Sequence, residues 1–162
     1  MWVELGLQTI HERTARYIRR GYDLPVFETA VSELRRRGID VIVHTILCLP
    51  GETKPDMLQT IQYLNRQDIQ GIKLQLLHIL KDTDLAEIYA SDPFPVPDPQ
   101  EYYELLGACI SHLRPDIVIH RLTGDGPKEL LTAPLWTCNK RQVLNQLQSY
   151  FKTHDIWQGK EY

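Results

Sequence analysis

The sequence has few cysteines, and those present are far apart. Cys48, Cys109 and Cys138 are the only three in 162 residues, and no two form a CxxC or CxxxCxxC pair. Because zinc sites and iron–sulfur clusters are usually built from closely spaced thiolates, we predict no metal site from this chain's own ligands. The odd number and wide spacing also argue against a disulfide framework and favour a reducing compartment.

Long apolar runs are missing as well. No stretch approaches the roughly 18 consecutive apolar residues that a membrane-spanning helix needs, and no signal peptide is recognisable. We therefore expect a cytoplasmic protein without membrane contact. The net charge of −3 gives no overall attraction for nucleic acid, although Arg35, Arg36 and Arg37 could form a local basic face.

Short apolar runs alternate with amphipathic stretches, which is typical of parallel βα units. This alternation predicts an α/β fold. Strands are predicted at 2–7, 39–49, 71–79 and 116–121, and helices at 11–20, from Pro25 to Gly38, and at 54–66, 100–113 and 140–153. Four prolines within 91–99 predict an extended connector there.

Polar residues stand where the first predicted strand ends. In parallel α/β proteins, functional groups collect at the carboxyl ends of strands. Gln8 can donate and accept hydrogen bonds, Glu4 can accept them, and Gly6 allows a ligand to approach closely. Arg20, at the end of the next predicted helix, suits a ligand carboxylate. The alternatives are a solvated strand edge for Glu4 and Gln8 and a solvent-facing arginine for Arg20.

The second predicted strand contains His44 and stops at an L-P-G-E-T turn. Pro50 and Gly51 force this turn, and Glu52 and Thr53 suit the start of the following helix. His44 interrupts an otherwise apolar strand, so its ring nitrogens need partners inside the protein or on a ligand. Both a core histidine and a ligand contact remain open.

A further polar set follows the last predicted strand. It contains His120, Arg121, Asp125 and Lys128, with glycines on both sides of Asp125. A glycine-rich turn of this kind can cradle an anion. An ordinary turn between a strand and a helix is the alternative.

Three of these segments together resemble the radical S-adenosylmethionine (radical SAM) superfamily. They are the E-L-G-L-Q-T strand end at 4–9, Arg20 after the following helix, and the C-L-P-G-E-T turn at 48–53. Two later segments, L-H-I-L-K-D-T at 77–83 and I-H-R-L-T-G-D-G-P at 119–127, resemble a YhcC-type branch and, more distantly, Elongator-type enzymes that modify tRNA. The resemblance covers almost the whole chain.

The chain also departs from the pattern of that superfamily. Cys48 and Asp82 stand where relatives usually have glycine, and the CxxxCxxC segment that holds the family's [4Fe–4S] cluster is absent. The resemblance therefore implies the C-terminal half of a partial (βα)6 TIM-like barrel. Residues 1–90 would form the barrel part, 91–99 a Pro-rich connector, and 100–162 a C-terminal α/β extension.

The resemblance implies an enzyme that cleaves S-adenosylmethionine to a 5′-deoxyadenosyl radical, with tRNA as the candidate substrate. S-adenosylmethionine and the [4Fe–4S] cluster would be cofactors of a longer parent protein, and we expect this chain alone to be inactive. The cofactor-binding residues implied are Glu4, Gln8, Arg20, His44, Ile46 and Leu47. The substrate-side candidates are His78, His120, Arg121, Asp125 and Lys128. No catalytic residue is assigned.

Two other functions remain open on the sequence alone. The chain could be a catalytically silent binding or oligomerisation module, dimerising through an exposed sheet edge before Trp2. It could also be a cluster-independent α/β enzyme with His78, His120 and Asp125 as acid–base groups, although their spacing selects no reaction.

Overall fold

A computed structural model describes residues 1–124 and 126–162. The strands are β1 (Trp2–Gln8), β2 (Asp40–Leu47), β3 (Gly71–Leu76), β4 (Ile79–Leu80), β5 (Val118–Arg121) and β6 (Leu131–Ala133). The helices are α1 (Glu12–Tyr17), α2 (Leu24–Arg36), α3 (Lys54–Leu64), α4 (Asp84–Ser91), α5 (Pro99–His112) and α6 (Lys140–Thr153). Short 3-10 turns occupy Lys128–Leu130 and Leu135–Cys138.

The main sheet has four parallel strands in the order β1-β2-β3-β5. One face is apolar and packs against helices. Leu7, Val43 and Leu74 on this face are fully buried, and they form one hydrophobic core with Ile61 of α3 and Leu106 of α5. Side chains alternate between the two faces of a strand, so the residues between these apolar positions lie on the opposite, polar face. The sheet therefore separates a helix-covered core from a face that can meet a ligand.

The starts of α5 and α3 follow from local sequence. Glu101 N donates to Asp98 Oδ1 (2.8 Å) and Asp98 N donates to Glu101 Oε2 (2.9 Å), which forms a capping box around Pro99. Thr53 N donates to Asp56 Oδ2 (2.8 Å) at the start of α3. Each helix thus begins directly where an extended or turn segment ends.

The turn between α3 and β3 is held by Arg114, which follows α5. Its guanidinium donates to Asn65 O (2.7 Å), Gln67 O (3.3 Å) and Ile69 O (3.3 Å). The Asn65 side chain returns two bonds, accepting from Arg114 N (2.8 Å) and donating to His112 O (2.7 Å). This Arg114 clamp ties residues 65–69 to the end of α5.

The predicted α/β architecture is confirmed, and the structure adds three elements. The predicted strand 71–79 ends at Leu76, and the chain then forms β4, which pairs antiparallel with β6. Helix α4 also lies outside the predicted elements. β5, from the predicted extension 100–162, pairs with β3, so this segment contributes a strand to the main sheet. No helix within the described residues is long and apolar enough to cross a membrane.

Candidate functional site

A cavity of about 570 Å³ opens at the carboxyl ends of β1 and β2. Its floor contains Gly6, Gln8 and Ile46 from the strand ends, and Arg20 lines one side. Further apolar lining comes from Leu49, from Leu77 after β3, from Leu85 and Ile88 of α4, and from the segment around Ile18. We call this the strand-end cavity. It brings together three of the residues that the sequence predicts at a cofactor site: Gln8, Arg20 and Ile46.

The end of β1 is irregular, and this irregularity shapes the cavity floor. The register with β2 shifts between Gly6 and Gln8, and Gln8 has a left-handed backbone with φ of 60°. When its amide nitrogen is oriented towards the main chain of β1, the Gln8 side chain donates to Gly6 O (2.9 Å) and Leu7 O (3.0 Å). A Cβ on Gly6 would come within 2.5 Å of the Gln8 amide, so glycine leaves room for this side chain.

Arg20 reaches the strand-end cavity, but its guanidinium is occupied by the protein. The side chain is 2% exposed and donates to Thr9 O (2.9 Å), Leu7 O (3.3 Å) and Tyr22 O (2.8 Å). It also donates to Glu12 Oε1 (2.9 Å), which forms an ion pair. Arg20 therefore fixes the end of β1 against the segment that follows α1, and its predicted role as a partner of a ligand carboxylate stays a prediction.

A second polar site lies lower on the sheet, on the polar face. Glu4 Oε2 accepts hydrogen bonds from Lys73 Nζ (2.6 Å) and His44 Nε2 (2.7 Å), and Gln75 Nε2 lies 3.3 Å from His44 Nδ1. We call these four residues the polar-face cluster. The hydrogen bonds from Lys73 and His44 lower the pKa of Glu4 to about 2. Glu4 is thus held as a carboxylate at all physiological pH values.

Register explains why these residues meet. His44 is opposite Gly6 on β1 and opposite Lys73 on β3. Glu4 pairs with Ile42, so it is a diagonal neighbour of His44, and diagonal neighbours lie within reach of long side chains. Gly6, the residue opposite His44 on this face, contributes no side chain of its own between Glu4 and His44.

Leu47 differs from the other predicted cofactor residues. It follows Ile46 on β2, and neighbouring residues of a strand face opposite sides. Its side chain is 2% exposed and belongs to the hydrophobic core, while its carbonyl accepts from Leu77 N (3.0 Å). The predicted contact of Leu47 with a cofactor is untested.

Four of the five substrate-side candidates lie in the described part of the chain. The His78 ring packs into the glycine turn, where a Cβ on Gly124 would lie 2.4 Å from it. His120 is exposed on β5 and lies against Gly71 of β3, where an added Cβ would meet its ring at 2.6 Å. Arg121 is half-buried at the end of β5, and Lys128 is exposed. The remaining candidate, Asp125, lies outside the described residues.

The cysteines do not fit an iron–sulfur cluster. All three are free thiols, and burial raises the pKa of Cys48 and of Cys109 to about 12, which keeps them protonated. Across residues 1–124 and 126–162, no group of three or more His, Cys, Asp or Glu side chains could hold a metal ion. We therefore derive no chemical step through a cluster bound to these residues.

Two residues of the polar-face cluster, Lys73 and Gln75, are absent from the sequence-based site. The signal that would have found them is the alternation in β3, where Ile72, Leu74 and Leu76 are buried and the residues between them are not. Such alternation shows that one face of β3 is polar. Read together with His44 on the neighbouring strand, it predicts a polar patch across β2 and β3.

Two family models match the chain. Residues 1–64 match the Radical SAM superfamily, and residues 69–153 match the Radical_SAM C-terminal domain. The boundary between the two matches lies in the turn held by the Arg114 clamp.

Curated relatives align over nearly the whole chain. Bacillus subtilis YtqA is 39% identical over 99% of this chain and 50% of its own length, and Escherichia coli YhcC is 33% identical over 96% and 50%. Elongator complex protein 3 of Schizosaccharomyces pombe is 23% identical over 90% of this chain and 28% of its own length. The chain thus spans about half the length of the first two curated relatives.

A solved structure shares the fold. An archaeal Elp3 from Methanocaldococcus infernus, with an N-terminal deletion, superposes with a TM-score of 0.83 at 16% sequence identity. The match covers 98% of this chain and 37% of that protein. At this identity the similarity speaks for the fold alone.

Proposed function

Because the chain belongs to the radical SAM superfamily, in a branch with YhcC and YtqA, we propose that it binds the adenosyl part of S-adenosylmethionine in the strand-end cavity. In radical SAM enzymes this cofactor supplies a 5′-deoxyadenosyl radical. One observation carries the proposal: three of the residues that the resemblance assigns to the cofactor line a single cavity at the carboxyl ends of parallel strands.

The cavity has the composition that an adenosyl group needs. Ile46 on the sheet side and Leu85 and Ile88 on α4 give apolar walls for a flat base, and Gln8 adds a hydrogen-bonding amide. The volume of about 570 Å³ lies within the range of small-molecule sites, which runs from about 300 to 1,000 Å³. These side chains would exclude water from one side of the base and orient the sugar towards the polar face.

We propose that this chain alone gives no turnover. The three cysteines are far apart in sequence, and burial raises the pKa of Cys48 and Cys109, which keeps these two from supplying cluster thiolates. Reductive chemistry then requires ligands from outside the 162 residues. Reconstitution with iron and sulfide under anaerobic conditions tests this point. An iron–sulfur absorbance band in the visible spectrum that the chain retains after gel filtration would contradict the proposal.

The binding proposal is tested with S-adenosylhomocysteine, an analogue that needs no cluster chemistry. Ile88→Arg places a charged side chain in the cavity from the surface of α4, where Ile88 is 36% exposed. We expect calorimetry to show at least about tenfold weaker binding, because a charge on an apolar wall must be desolvated.

Leu144→Arg is the matched control. Leu144 is 37% exposed on α6 and does not line the cavity, so this variant should bind as the unsubstituted chain does. Equal loss in both variants would point to a general effect on folding. Unchanged affinity in Ile88→Arg would place the ligand elsewhere and overturn the proposal.

The substrate class is a finer proposal. The distant similarity to Elongator complex protein 3 supports tRNA, and two exposed side chains that can contact phosphate, His120 on β5 and Lys128 in the turn after it, lie in this part of the chain. Mobility-shift titration with tRNA at low and at physiological salt tests this, because phosphate contacts weaken steeply as salt rises. Heparin binding of equal strength would mean a non-specific polyanion site and would count against tRNA as the substrate.

A second candidate function is a dimerising module. β1 is the edge strand of the described sheet, and Trp2 on it is 62% exposed. Light scattering coupled to gel filtration would show a dimer that Trp2→Lys dissociates, whereas Trp157→Lys, at a position 52% exposed near the C-terminus, would not. A monomer at the highest concentration tested would end this candidate.

A further inference from the structure

A second cavity lies between α6 and the start of α5. It has a volume of about 710 Å³, and none of its lining residues belongs to the strand-end cavity. A smaller cavity of about 350 Å³ continues from it along α6, because Gln142, Gln146 and Ser149 line both. We call the two cavities together the α6 cleft. No described residue of the sequence-based site lines this cleft, so its chemistry is separate from the site proposed above.

Aromatic rings line the larger cavity. Trp136, Tyr103 and Tyr150 lie along it, and His154 stacks on Tyr150 with the ring centres 4.0 Å apart. The Trp136 ring is fixed in place because its Nε1 donates to Pro97 O (3.0 Å). Trp136 and Tyr150 are half-buried and His154 is exposed, so ring surface remains on which a planar ligand can stack.

Two glutamines of α6 present amide donors to the cleft. Gln146 Oε1 accepts from Tyr103 OH (2.9 Å), and Gln142 Oε1 accepts from Asn139 Nδ2 (3.1 Å). Within residues 1–124 and 126–162, neither glutamine uses its amide nitrogen to donate to a protein group. An amide NH2 group can only donate, and residues four apart lie on the same helix face. The cleft therefore suits a ligand with carbonyl or ring-nitrogen acceptors.

The two parts of the cleft carry opposite charges. Asp98 lines the larger cavity, where its Oδ1 accepts from Glu101 N (2.8 Å) and its second oxygen can accept from a ligand. Arg141 lines the smaller cavity and forms no ion pair with the rest of the described chain. The rise of the helix separates Arg141 from Tyr150 by about 13 Å. A ligand that fits has a planar group with an amino substituent at one end and an anion at the other.

We propose that the α6 cleft binds a nucleotide whose base carries an amino group. The base stacks on the aromatic rings, its acceptors bond to the NH2 groups of Gln142 and Gln146, and its amino group bonds to Asp98. The phosphate lies at Arg141, where a guanidinium can bond to it through two N–H groups. A free nucleotide and an unpaired nucleotide of an RNA strand share this chemistry.

Two pairs of nucleotides test the contact with Asp98. Adenosine and inosine monophosphates differ at the base amino group, as do cytidine and uridine monophosphates. In calorimetry we expect the amino-bearing member of at least one pair to bind about tenfold more tightly, as for a hydrogen bond to a charged group. Asp98→Asn keeps a good N-cap for α5 but replaces an acceptor with a donor, so the preference should disappear. No preference in either pair would overturn the proposal.

Arg141→Gln tests the phosphate end of the cleft. It should weaken binding of the preferred nucleotide about tenfold and leave the corresponding nucleoside unchanged, because only the nucleotide has the anion. Lys152→Gln is the matched control, since Lys152 is an exposed cation of α6 that lines neither cavity. Equal losses in both variants would indicate a general attraction to positive charge on α6 and contradict the site.

Gln146→Glu tests the amide donors. The substitution keeps an acceptor for Tyr103 OH and exchanges the NH2 group for a second carboxylate oxygen, so the preferred nucleotide should bind at least about tenfold more weakly. Gln148→Glu adds the same charge to an exposed position of α6 outside the cleft and should change affinity much less. Equal effects of the two substitutions would contradict a contact at Gln146.

Ile88→Arg separates this proposal from binding in the strand-end cavity. Ile88 does not line the α6 cleft, so this variant should keep the nucleotide affinity of the unsubstituted chain even where it loses S-adenosylhomocysteine. Loss of nucleotide binding in Ile88→Arg would place the nucleotide in the strand-end cavity and overturn the α6 site. If S-adenosylhomocysteine fails to bind the unsubstituted chain, the α6 site is still decided by the nucleotide titrations.

A single-stranded homopolymer of the preferred nucleotide identifies the source of the ligand. Binding at least about tenfold tighter than that of the mononucleotide, and weakened by Arg141→Gln, would support the cleft as a site for an unpaired nucleotide of RNA. Binding no tighter than that of the mononucleotide would support a free nucleotide in the same cleft. Tighter binding that Arg141→Gln and Gln146→Glu leave unchanged would contradict RNA binding in this cleft.

Discussion

Two charged networks flank β1, and they differ in how much solvent reaches them. The Arg20 network is closed: the guanidinium is 2% exposed and bonds to three backbone carbonyls and Glu12. The polar-face cluster is open, with the Glu4 side chain 39% exposed. A closed network fixes the shape of a strand end, whereas an open network can exchange a protein partner for a ligand. The comparison predicts that stability depends on the first and ligand recognition on the second.

The largest expected effect is on the closed side. Arg20→Met removes a buried guanidinium that donates to the carbonyls of Leu7 and Thr9 and to the partly exposed Glu12, and losing several hydrogen bonds to a charged group costs about 3 kcal/mol of unfolding free energy. Urea denaturation measures this. The neighbouring Arg19→Met is the control: Arg19 is 75% exposed, so its loss should change stability by about 0.5 kcal/mol or less. Equal effects at both positions would abolish the distinction.

A smaller effect, visible in acid, belongs to the open cluster. The pKa of Glu4 is lowered from its ordinary value of 4.5 to about 2, so its contribution to stability is present above pH 4.5 and is lost as the pH falls to 2. Glu4→Gln should therefore lose stability less steeply than the unsubstituted chain between these pH values. Acid unfolding followed by circular dichroism measures the slope, and identical slopes would mean that Glu4 is not held as the contacts indicate.

The smallest effect is expected where a charged pair belongs to neither network. Asp84 on α4 pairs with Arg19 across the mouth of the strand-end cavity, and both side chains are mostly exposed. Asp84→Asn should change the unfolding free energy by about 0.5 kcal/mol or less, because solvent screens such pairs. Thermal unfolding at low and high salt checks this, and a loss comparable to that of Arg20→Met would show that α4 depends on the pair.

Local sequence predicts the elements whose formation depends on local signals. The sequence predicts α6 at 140–153, and the helix occupies these residues because its apolar positions follow helical periodicity and Asn139 caps its first turn. β4 and β6 could not be predicted in this way. They contain two and three residues, and their pairing joins Leu80 to Leu131 across the chain. α4 is short, has no buried residue and ends where the Pro-rich connector begins, so its sequence gives little helical periodicity from which to predict it.

The site was predictable to the extent that strand ends define it. Gln8 and Ile46 share a cavity because both stand at carboxyl ends of neighbouring parallel strands. The closed state of Arg20 was not predictable, because its partners are mainly backbone carbonyls, which any sequence supplies. Lys73 was missed for a different reason: a lone lysine in a strand resembles a solvated residue until Glu4 is placed beside it.

The Arg114 clamp bears on how the two family-matched segments can move. The boundary between the two matches lies between residues 64 and 69. A boundary of this kind could act as a hinge or as a site of proteolytic cleavage. Here the linking carbonyls are bonded to Arg114, and β2 and β3 pair directly across the junction. The two segments, which both line the strand-end cavity, therefore have no flexible joint between them, and the chain should resist proteolysis at this point and unfold in one cooperative step.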